Sequence, residues 1–402
     1  MTLHRGSGLF LFLVLCVLGA GYTLASRLGY LDRLQARLRP PAKEAVRLSP
    51  GDFPAGVAAP VADVASVPMR PVLIGFTPRG SASALLLATG GSTMLDAPAA
   101  AAGAAPAAPA PAPGMLKTAY SLEARAVLYA REEELRQALA LGAENGGVDM
   151  ACLSVDRLAA WAASLRDAAP RTVLLLGRSR GQEALAAVGV PDLASLRGKR
   201  VGVYPMSSAH YFALWVLSRM GLKMTDVKWV DLPSTLDAGR ALREGRADAV
   251  VGLWGDVELA ARDRGGVVLA TTADAPHLIA TVLVARGEFA ARYPDAVRRV
   301  LRGLLDAGQA VQKDPAQAAR MLGDVAPYLG DPTEAIHSAP PATLADNRAF
   351  FGLSGEAPVT YDELFQSASA LFQKLKRTGP VPPAEDTRDL GALKYVSEAR
   401  GP

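Results

Sequence analysis

The chain has 402 residues, of which 50% are hydrophobic and 20% are charged, and its formal net charge is +4. This length favours two or three domains, and the composition is ordinary for a folded protein with an added apolar segment. The arginines are dispersed and no basic block carries interleaved aromatic residues, so nucleic acid is not expected as a partner.

An uncharged apolar stretch near the N-terminus predicts a membrane anchor. Residues 8–25, "GLFLFLVLCVLGAGYTLA", follow a short basic start and are about long enough to cross a bilayer as a helix. The next stretch, "SRLGYLDRLQARLRPP", has the pattern of an amphipathic helix at a membrane surface. We therefore expect an uncleaved signal anchor and amphipathic helix over residues 1–39, with cleavage after Ala25 as the open alternative. Such an anchor tethers the soluble part, in the periplasm, to the inner (cytoplasmic) membrane.

The two cysteines predict neither a disulfide nor a metal site. Cys16 falls in the apolar stretch, where Leu15 stands in place of the small residue that a lipoprotein signal requires. Cys152 falls in the strand-like run "VDMACLSV". Each is interpreted as a small buried hydrophobic residue. Since no zinc, calcium or phosphate-loop motif is present in the sequence either, no metal and no cofactor is expected.

The segments after the anchor predict a linker, one strand, one helix and an irregular insert. Residues 40–69 are rich in Pro, Ala and Val without periodicity, which is typical of a linker. "RPVLIGFTP" predicts a buried strand, and "SASALLLATGG" predicts a short helix that ends at its two glycines. Residues 96–114 are almost entirely Ala and Pro, a composition that builds no core and predicts a disordered surface loop.

Strand-like and helix-like patterns alternate after this insert. "ARAVLYA", "VDMACLSV" and "RTVLLLG" predict strands, with helices in "REEELRQALALGAENGG" and "DRLAAWAASLRDA" between them. The strand patterns continue in "KRVGVYP", "VKWVDLP", "ADAVVGLW" and "GVVLATT", and beyond "ATVLVAR" the chain is largely helical. This order predicts βαβ units with mainly parallel sheets, an α/β fold. A loose echo between residues 138–158 and 241–259 is consistent with two similar lobes, although chance could also produce it.

The stretch "VGVYPMSSAHYFALWVL" places small hydroxyls and a histidine between a strand and an apolar helix. Residues at the carboxyl end of a parallel strand face the crevice where open α/β sheets bind ligands, and a helix N-terminus attracts anions. Ser207 and Ser208 are therefore candidate anion ligands, with His210 and Tyr211 on the first helical turn. The pattern leaves open the alternative that Ser207 only caps the helix.

The segment "GRSRGQEAL" contains a G-x-S-x-G motif between a strand and a short predicted helix. This is the sequence context of the nucleophile elbow of serine hydrolases, in which Ser179 would be the nucleophile. Asp256 with His277 or His337 would complete the triad. Because no HGGG-like oxyanion loop precedes the motif and the following helix is short, a hydrolase is the rival interpretation.

The segment "VVGLWGDVEL" places Trp254 and Asp256 just beyond a strand end. On the crevice side of a sheet, an aromatic residue can form a wall of a ligand pocket. A tryptophan that merely packs beneath a loop is the alternative for the same pattern.

Together these stretches resemble the substrate-binding proteins of nitrate-, taurine- and aliphatic-sulfonate-type ABC importers, a group that includes binders of thiamine-pyrimidine precursors. The resemblance is strongest in "LASLRGKRVGVYPMSSAHYFALWVLSRMGLK" and "ALREGRADAVVGLWGDVE". It implies a two-lobed type II periplasmic-binding-protein fold that closes around a ligand. We expect the first lobe over residues 70–187, the second over 188–278, and a return to the first lobe with C-terminal helices over 279–402.

The resemblance also implies a function and a set of ligand contacts. The implied function is capture of a small, anionic organic solute, sulfonate- or taurine-like, for an ABC permease and ATPase, without catalysis. A degenerate binding protein used as a sensor is a further alternative, because the first turn, "TPRGSAS", lacks the aromatic residue usual in the family. Matched to the family's ligand loops, with Tyr211 added from the helix pattern, the expected contacts are Thr77, Pro78, Ser154, Glu183, Ser207, Ser208, His210, Tyr211, Trp254 and Asp256.

Overall fold

The computed structural model describes residues 67–78, 80–94, 114–326, 331–375 and 379–399. The predicted anchor, nearly all of the predicted linker and the Ala/Pro insert lie outside these residues. Within the described part of the chain, no helix is both long and apolar enough to cross a membrane.

The structure is built from two β-sheets with helices packed on them. The strands, in chain order, are β1 (Val72–Phe76), β2 (Ser92–Met94), β3 (Ala124–Leu128), β4 (Met150–Ser154), β5 (Arg171–Arg178), β6 (Glu183–Ala187), β7 (Arg200–Val203), β8 (Lys228–Asp231), β9 (Ala249–Leu253), β10 (Val267–Thr271) and β11 (Ala280–Ala285). The first sheet has the order β2-β3-β1-β4-β11-β5, and the second has the order β10-β6-β9-β7-β8. The predicted α/β architecture is therefore confirmed.

The helices follow the strands in the alternation that the sequence predicted. They are α1 (Ser83–Thr89), α2 (Met115–Tyr120), α3 (Glu132–Leu141), α4 (Val155–Trp161), α5 (Ser208–Arg219), α6 (Ala238–Arg243), α7 (Trp254–Asp263), α8 (Gly287–Arg292), α9 (Pro294–Lys313), α10 (Pro315–Val325), α11 (Pro332–Ser338), α12 (Leu344–Phe350), α13 (Tyr361–Lys374) and α14 (Gly391–Ala399). Helices α9, α10 and α11 begin with proline, whose missing N–H has no partner to lose at that position. Thr343 and Thr360 cap α12 and α13 with reciprocal hydrogen bonds.

The chain crosses between the two sheets twice. The first crossover, residues 179–182, leads from β5 to β6, and the second, residues 272–279, leads from β10 to β11. After the second crossover β11 inserts between β4 and β5, antiparallel to both, and all six of its residues are buried. The C-terminal helices then complete the apolar core of the first sheet. We call the first sheet with its helices the first lobe, and residues 183–271 the second lobe.

The segment after Ser179 is a strand and not the short helix expected from the sequence. All of Glu183–Ala187 is buried, and the strand pairs antiparallel with β9 on one side and β10 on the other. Its alanines favour a helix in isolation, but burial between two partner strands overrides this weak propensity. The second sheet thus begins inside the range 70–187 that the sequence assigned to the first lobe.

A buried ion pair fixes the chain where it enters the first sheet. Asp149, only 3% exposed, accepts hydrogen bonds from Nη1 and Nη2 of Arg70 at 2.7 and 2.8 Å. The same carboxylate accepts the backbone N–H of Leu73, inside β1, at 3.0 Å. Hydrogen bonding to Asp149 raises the pKa of Arg70, which therefore stays charged.

We expect Arg70→Ala to lower the free energy of unfolding by about 3 kcal/mol, because the substitution leaves the Asp149 carboxylate buried without its cation. Urea unfolding followed by circular dichroism measures the change. Lys117→Ala, which breaks the exposed pair with Glu123, is the matched control and should have little effect. Equal losses in the two variants would show that the buried pair contributes no more than a surface one.

Candidate functional site

The two lobes meet through a pair of hydrogen-bonded hydroxyls. The Oγ of Ser154, at the end of β4, lies 2.9 Å from the Oγ of Ser208, the first residue of α5 in the second lobe. The Ser208 hydroxyl donates to Oδ2 of Asp156 at 3.0 Å, which leaves Ser154 as the donor to Ser208. Ser208 and Asp156 are each 1% exposed. An internal carboxylate therefore lies at the N-terminus of α5, the place where the sequence suggested an anion seat.

Arg157 contacts both lobes from the same place. Its side chain is 3% exposed and forms an ion pair with Glu132, at the start of α3 in the first lobe. Its Nη1 donates to the carbonyl of Met206 in the second lobe at 2.7 Å. The guanidinium carbon lies 4.9 Å from the ring centre of Trp161 and 5.1 Å from that of Tyr204, distances that allow cation–π attraction. We call Ser154, Asp156, Arg157, Met206 and Ser208 the lobe junction.

The turn before α5 is shaped to present the Met206 carbonyl. Met206 has a φ of 63°, in the left-handed region that non-glycine residues rarely adopt. The turn is held by a hydrogen bond from the Met206 N–H to Nδ1 of His210 at 3.1 Å. The hydroxyl of Ser207 accepts the His210 N–H at 3.1 Å and donates to the Tyr204 carbonyl at 2.6 Å. Ser207 thus acts as the N-cap of α5, the alternative that the sequence left open.

His210 and Tyr211 pack against the first lobe and line neither cleft cavity described below. The Tyr211 hydroxyl donates to Oγ of Ser367, on α13, at 3.2 Å, and its ring lies 6.0 Å from that of Phe372. Burial raises the pKa of Tyr211, so the phenol stays protonated. The His210 ring contacts Trp229 of its own lobe edge-on at 5.1 Å, and its centre lies 6.4 Å from that of Phe372 in the first lobe. Both side chains therefore contribute to the contact between the lobes.

Two adjoining cavities lie at the cleft, an outer one lined by both lobes and an inner one lined by the first lobe. The outer one, which we call the cleft cavity, has a volume of about 220 Å³ and is lined by both lobes, including Thr77, Pro78, Glu132, Tyr204, Ser234 and Leu253. The inner one has only about 20 Å³ and is lined by Thr77, Glu132, Ser154 and Arg157 among others. That volume accommodates about one water molecule. The ion pair of Arg157 and Glu132 thus occupies most of the space at the carboxyl end of β4.

The remaining predicted site residues lie apart from these cavities. Glu183 is fully buried beside the crossovers. Trp254 is 37% exposed at the start of α7. Asp256 accepts the Gly239 N–H at 2.9 Å and pairs with Arg243 at 3.5 Å, so its contacts are within the second lobe. The structure therefore brings Thr77 and Pro78 to the cleft cavity and Ser154 and Ser208 to the lobe junction, but places these three residues elsewhere.

The geometry around Ser179 does not support a hydrolase. Ser179 is 3% exposed, and its hydroxyl donates to Oε2 of Glu183 at 2.5 Å. The Oγ1 of Thr272, on the second crossover, lies 2.6 Å from the same hydroxyl. The motif joins two strands, whereas a nucleophile elbow joins a strand to a helix and exposes its serine. Asp256, proposed as the triad acid, is held in the second lobe. The Ser179 cluster instead ties the two crossovers together.

Sequence reasoning missed the charged members of the site. Asp156 and Arg157 directly follow Ser154 in "LSVDRL", and Glu132 opens the helix in "REEELR". Charged residues are common in the first turn of solvated helices, so the pattern gave no sign that these would be buried together. Their position immediately after a predicted strand end was the one signal that could have marked them.

The described residues offer no metal or thiol chemistry. Among them, no group of three or more His, Cys, Asp or Glu side chains is placed to hold a metal ion. Cys152 is a free, buried thiol, and burial raises its pKa to about 12. A thiol with such a pKa is not a nucleophile at neutral pH. Cys16 lies outside the described residues.

Comparison with known proteins gives one match to a family model, over part of the chain. A family model described as "NMT1/THI5 like" matches residues 172–318, which include all but the first residue of β5 and the whole second sheet. A comparison with curated protein sequences gave no match. The resemblance to substrate-binding proteins of ABC importers that the sequence suggested is confirmed by this match together with the solved structures described next.

Three solved structures illustrate the likeness. The ligand-binding component of an ABC-type import system from Staphylococcus aureus, solved with zinc bound, is 15% identical over 82% of this chain and 99% of its own, with a TM-score of 0.60. The alkanesulfonate-binding protein SsuA from Xanthomonas axonopodis pv. citri, bound to MOPS, is 19% identical over 80% and 99%, with a TM-score of 0.57. The desulfurization enzyme DSZB is 12% identical over 82% and 100%, with a TM-score of 0.52.

These identities show the fold, which is the two-sheet α/β fold of periplasmic binding proteins. Because the same fold also carries an enzyme, the fold alone does not select the function.

We expect Ser179→Ala to lower the free energy of unfolding by about 1–3 kcal/mol, because a buried hydrogen bond to a carboxylate is lost. A fluorophosphonate probe should leave the native protein unlabelled. Ser218→Ala, at an exposed position of α5, is the control and should change stability little. Labelling of Ser179, or an esterase activity that disappears in Ser179→Ala, would instead establish the rival hydrolase.

Proposed function

We propose that the protein is the extracytoplasmic solute-binding component of an ABC importer and captures a small organic solute between its lobes without chemical change. The observation that carries this proposal is the cleft cavity of about 220 Å³, lined by loops that follow strand ends in both lobes. Crevices at the carboxyl ends of strands are the usual ligand sites of open α/β sheets. Two short crossovers are the connections that a hinge closure requires.

The proposed partners are an ABC permease and its ATPase, as expected from the resemblance. The anchor predicted over residues 1–39 would hold the binding lobes close to the permease. Tethering raises the effective concentration of one partner at the other without any new contact. This part of the proposal rests on the sequence, because the anchor lies outside the described residues.

The proposed solute carries an oxyanion, a sulfonate or a carboxylate, that binds Arg157. A guanidinium presents paired donors that match a planar or tetrahedral oxyanion, and burial strengthens such bonds. The Glu132 carboxylate currently fills this role, so an incoming oxyanion would replace it. Glu132 is 15% exposed and borders both cavities, which gives it a route outward. Trp161 and Tyr204 would flank the bound group.

Binding in this way requires the lobes to open first. The inner cavity of about 20 Å³ is too small for a solute, and Arg157 and Ser208 hold the lobes together beside it. When only a fraction of the molecules is open, the apparent affinity falls by that fraction. We therefore expect the internal ion pair to weaken solute binding.

The small inner cavity also favours a second candidate, a degenerate binding protein used as a sensor. In that case Arg157 and Glu132 would be permanent structural partners and the lobes would not open for a solute. The two candidates predict different results when the Glu132 carboxylate is removed. A solute-binding protein would bind an oxyanion more tightly, whereas a sensor with closed lobes would still bind none.

We expect calorimetric titration of the purified chain to detect binding of an alkanesulfonate, taurine or a small carboxylate, with pyrimidines as the contrasting class. Glu132→Gln should tighten oxyanion binding by about tenfold, because it removes the internal competitor for Arg157. Arg157→Lys should weaken binding by at least about tenfold, because an ammonium cannot present the paired donors of a guanidinium.

Glu398→Gln removes an exposed carboxylate on α14 and is the matched control, with no expected change. Circular dichroism should show that each variant is folded. If neither the wild-type protein nor folded Glu132→Gln binds any probe, the solute-binding proposal fails and the sensor alternative is favoured.

A further inference from the structure

A larger cavity, of about 360 Å³, lies against both crossovers and shares no lining residue with the two cavities of the cleft. Arg178, the last residue of β5, and Arg180, on the first crossover, line it, and so does His277 on the second crossover. The region between α9 and α13, with Pro341 and Asp346 among the lining residues, forms the rest of its wall. We call it the hinge cavity.

Arg178 brings a partly desolvated positive charge into the hinge cavity. Its guanidinium packs 4.7 Å from the ring centre of Phe350 and donates to the carbonyls of Val359 at 3.2 Å and His277 at 3.4 Å. Burial lowers the pKa of Arg178, and the nearby Asp346 only partly offsets this effect. Among the described residues, no carboxylate forms an ion pair with Arg178 or Arg180. The cavity therefore holds guanidinium charge that the protein does not neutralise directly.

His277 adds an unused hydrogen-bonding group to the same cavity. Its Nδ1 is buried and has no hydrogen-bond partner among the described residues. Burial, followed by the charges of Arg178 and Arg180, lowers the pKa of His277. A neutral imidazole beside two guanidinium groups can donate one N–H to an anion. A buried polar atom without a partner normally costs free energy, which a ligand would recover.

The other walls define what kind of molecule would fit. Pro340, Pro341 and Pro358 present apolar surface, and the volume is that of a small organic molecule. Two carboxylates also border the cavity. Asp346 is already held by the N–H and hydroxyl of Thr343, at 2.8 and 2.6 Å, and Glu356 is exposed to solvent. The inner wall is thus cationic and apolar.

We propose that the hinge cavity is a second binding site, which takes the oxyanion of a small organic acid with an apolar body. The carboxylate, sulfonate or phosphate group lies between Arg178, Arg180 and the imidazole of His277, and the apolar body lies against the prolines. A ligand held by both crossovers restrains their relative movement. Its affinity then differs between open and closed lobes, which couples this site to lobe closure.

The test uses the full chain with labelled histidine and follows the imidazole resonance of His277 by NMR. His277→Gln assigns the signal. Benzoate, methanesulfonate and inorganic phosphate are added separately to about 10 mM, which fills most of a site with a millimolar Kd. Benzoate should shift the signal saturably and raise the pKa of His277, because a bound negative charge favours the protonated ring. Phosphate and methanesulfonate reveal whether the apolar body is needed.

Arg178→Gln should weaken the benzoate response at least about tenfold, and Arg178→Lys, which keeps the charge, should weaken it less. Arg262→Gln, at an exposed arginine of α7, is the control and should leave the response unchanged. A response that does not saturate, or that is the same in Arg178→Gln and Arg262→Gln, overturns the proposal. Since the reporter lies in the hinge cavity, this outcome is independent of whether the cleft binds a solute.

Discussion

The burial of the Arg157 guanidinium is the constraint on which the contact between the two lobes depends. Removing a cation from water costs several kcal/mol unless its donors find good partners. The first lobe supplies a carboxylate from Glu132 and the second lobe supplies the carbonyl of Met206. The left-handed backbone of Met206 is stabilised by the same turn that caps α5. The Nη1 group of Arg157 therefore has its hydrogen-bond acceptor only when the other lobe is in place.

The hinge differs from the lobe junction, because no carboxylate of the described residues is paired with the cationic groups at the hinge cavity. Ser179, Glu183 and Thr272 form a buried cluster that joins the two crossovers by hydrogen bonds alone. On the hinge-cavity side, Arg178 and His277 keep donor groups that the protein does not fully use. The inner end of the cleft is thus occupied by the chain's own charges, while the hinge cavity retains room and unneutralised charge. A solute in the cleft and an anion at the hinge would both act on the same closing movement.

The sequence predicted the architecture because the pattern of buried apolar residues largely determines which segments form strands and helices. Apolar runs such as β5 and β11 are covered on both faces, and strands of this kind produce continuous hydrophobic patterns. The exception was Glu183–Ala187, where alanines with high helix propensity form a buried central strand. Nothing local in that segment reveals the two strands on either side of it.

The site was predicted less completely, because its residues are brought together from positions far apart in the sequence. Ser154 and Ser208 could be placed near the cleft because one ends β4 of the first sheet and the other follows β7 of the second sheet. The pairing of Glu132 with Arg157, and of Arg157 with Met206, depends on contacts between residues far apart in sequence. Asp256 was expected at the cleft, and its partners in the structure are Gly239 and Arg243 in the second lobe.

The most direct test of this account is the distance between the lobes in solution, measured by electron spin resonance. Spin labels at Lys394→Cys on the first lobe and Arg262→Cys on the second, in a Cys16→Ser background, avoid the buried and unreactive Cys152. With Arg157 present we expect one narrow distance distribution, and Arg157→Ala should give a broader distribution that extends to longer distances. A narrow and unchanged distribution in a folded Arg157→Ala protein would contradict the claim that this guanidinium holds the lobes together.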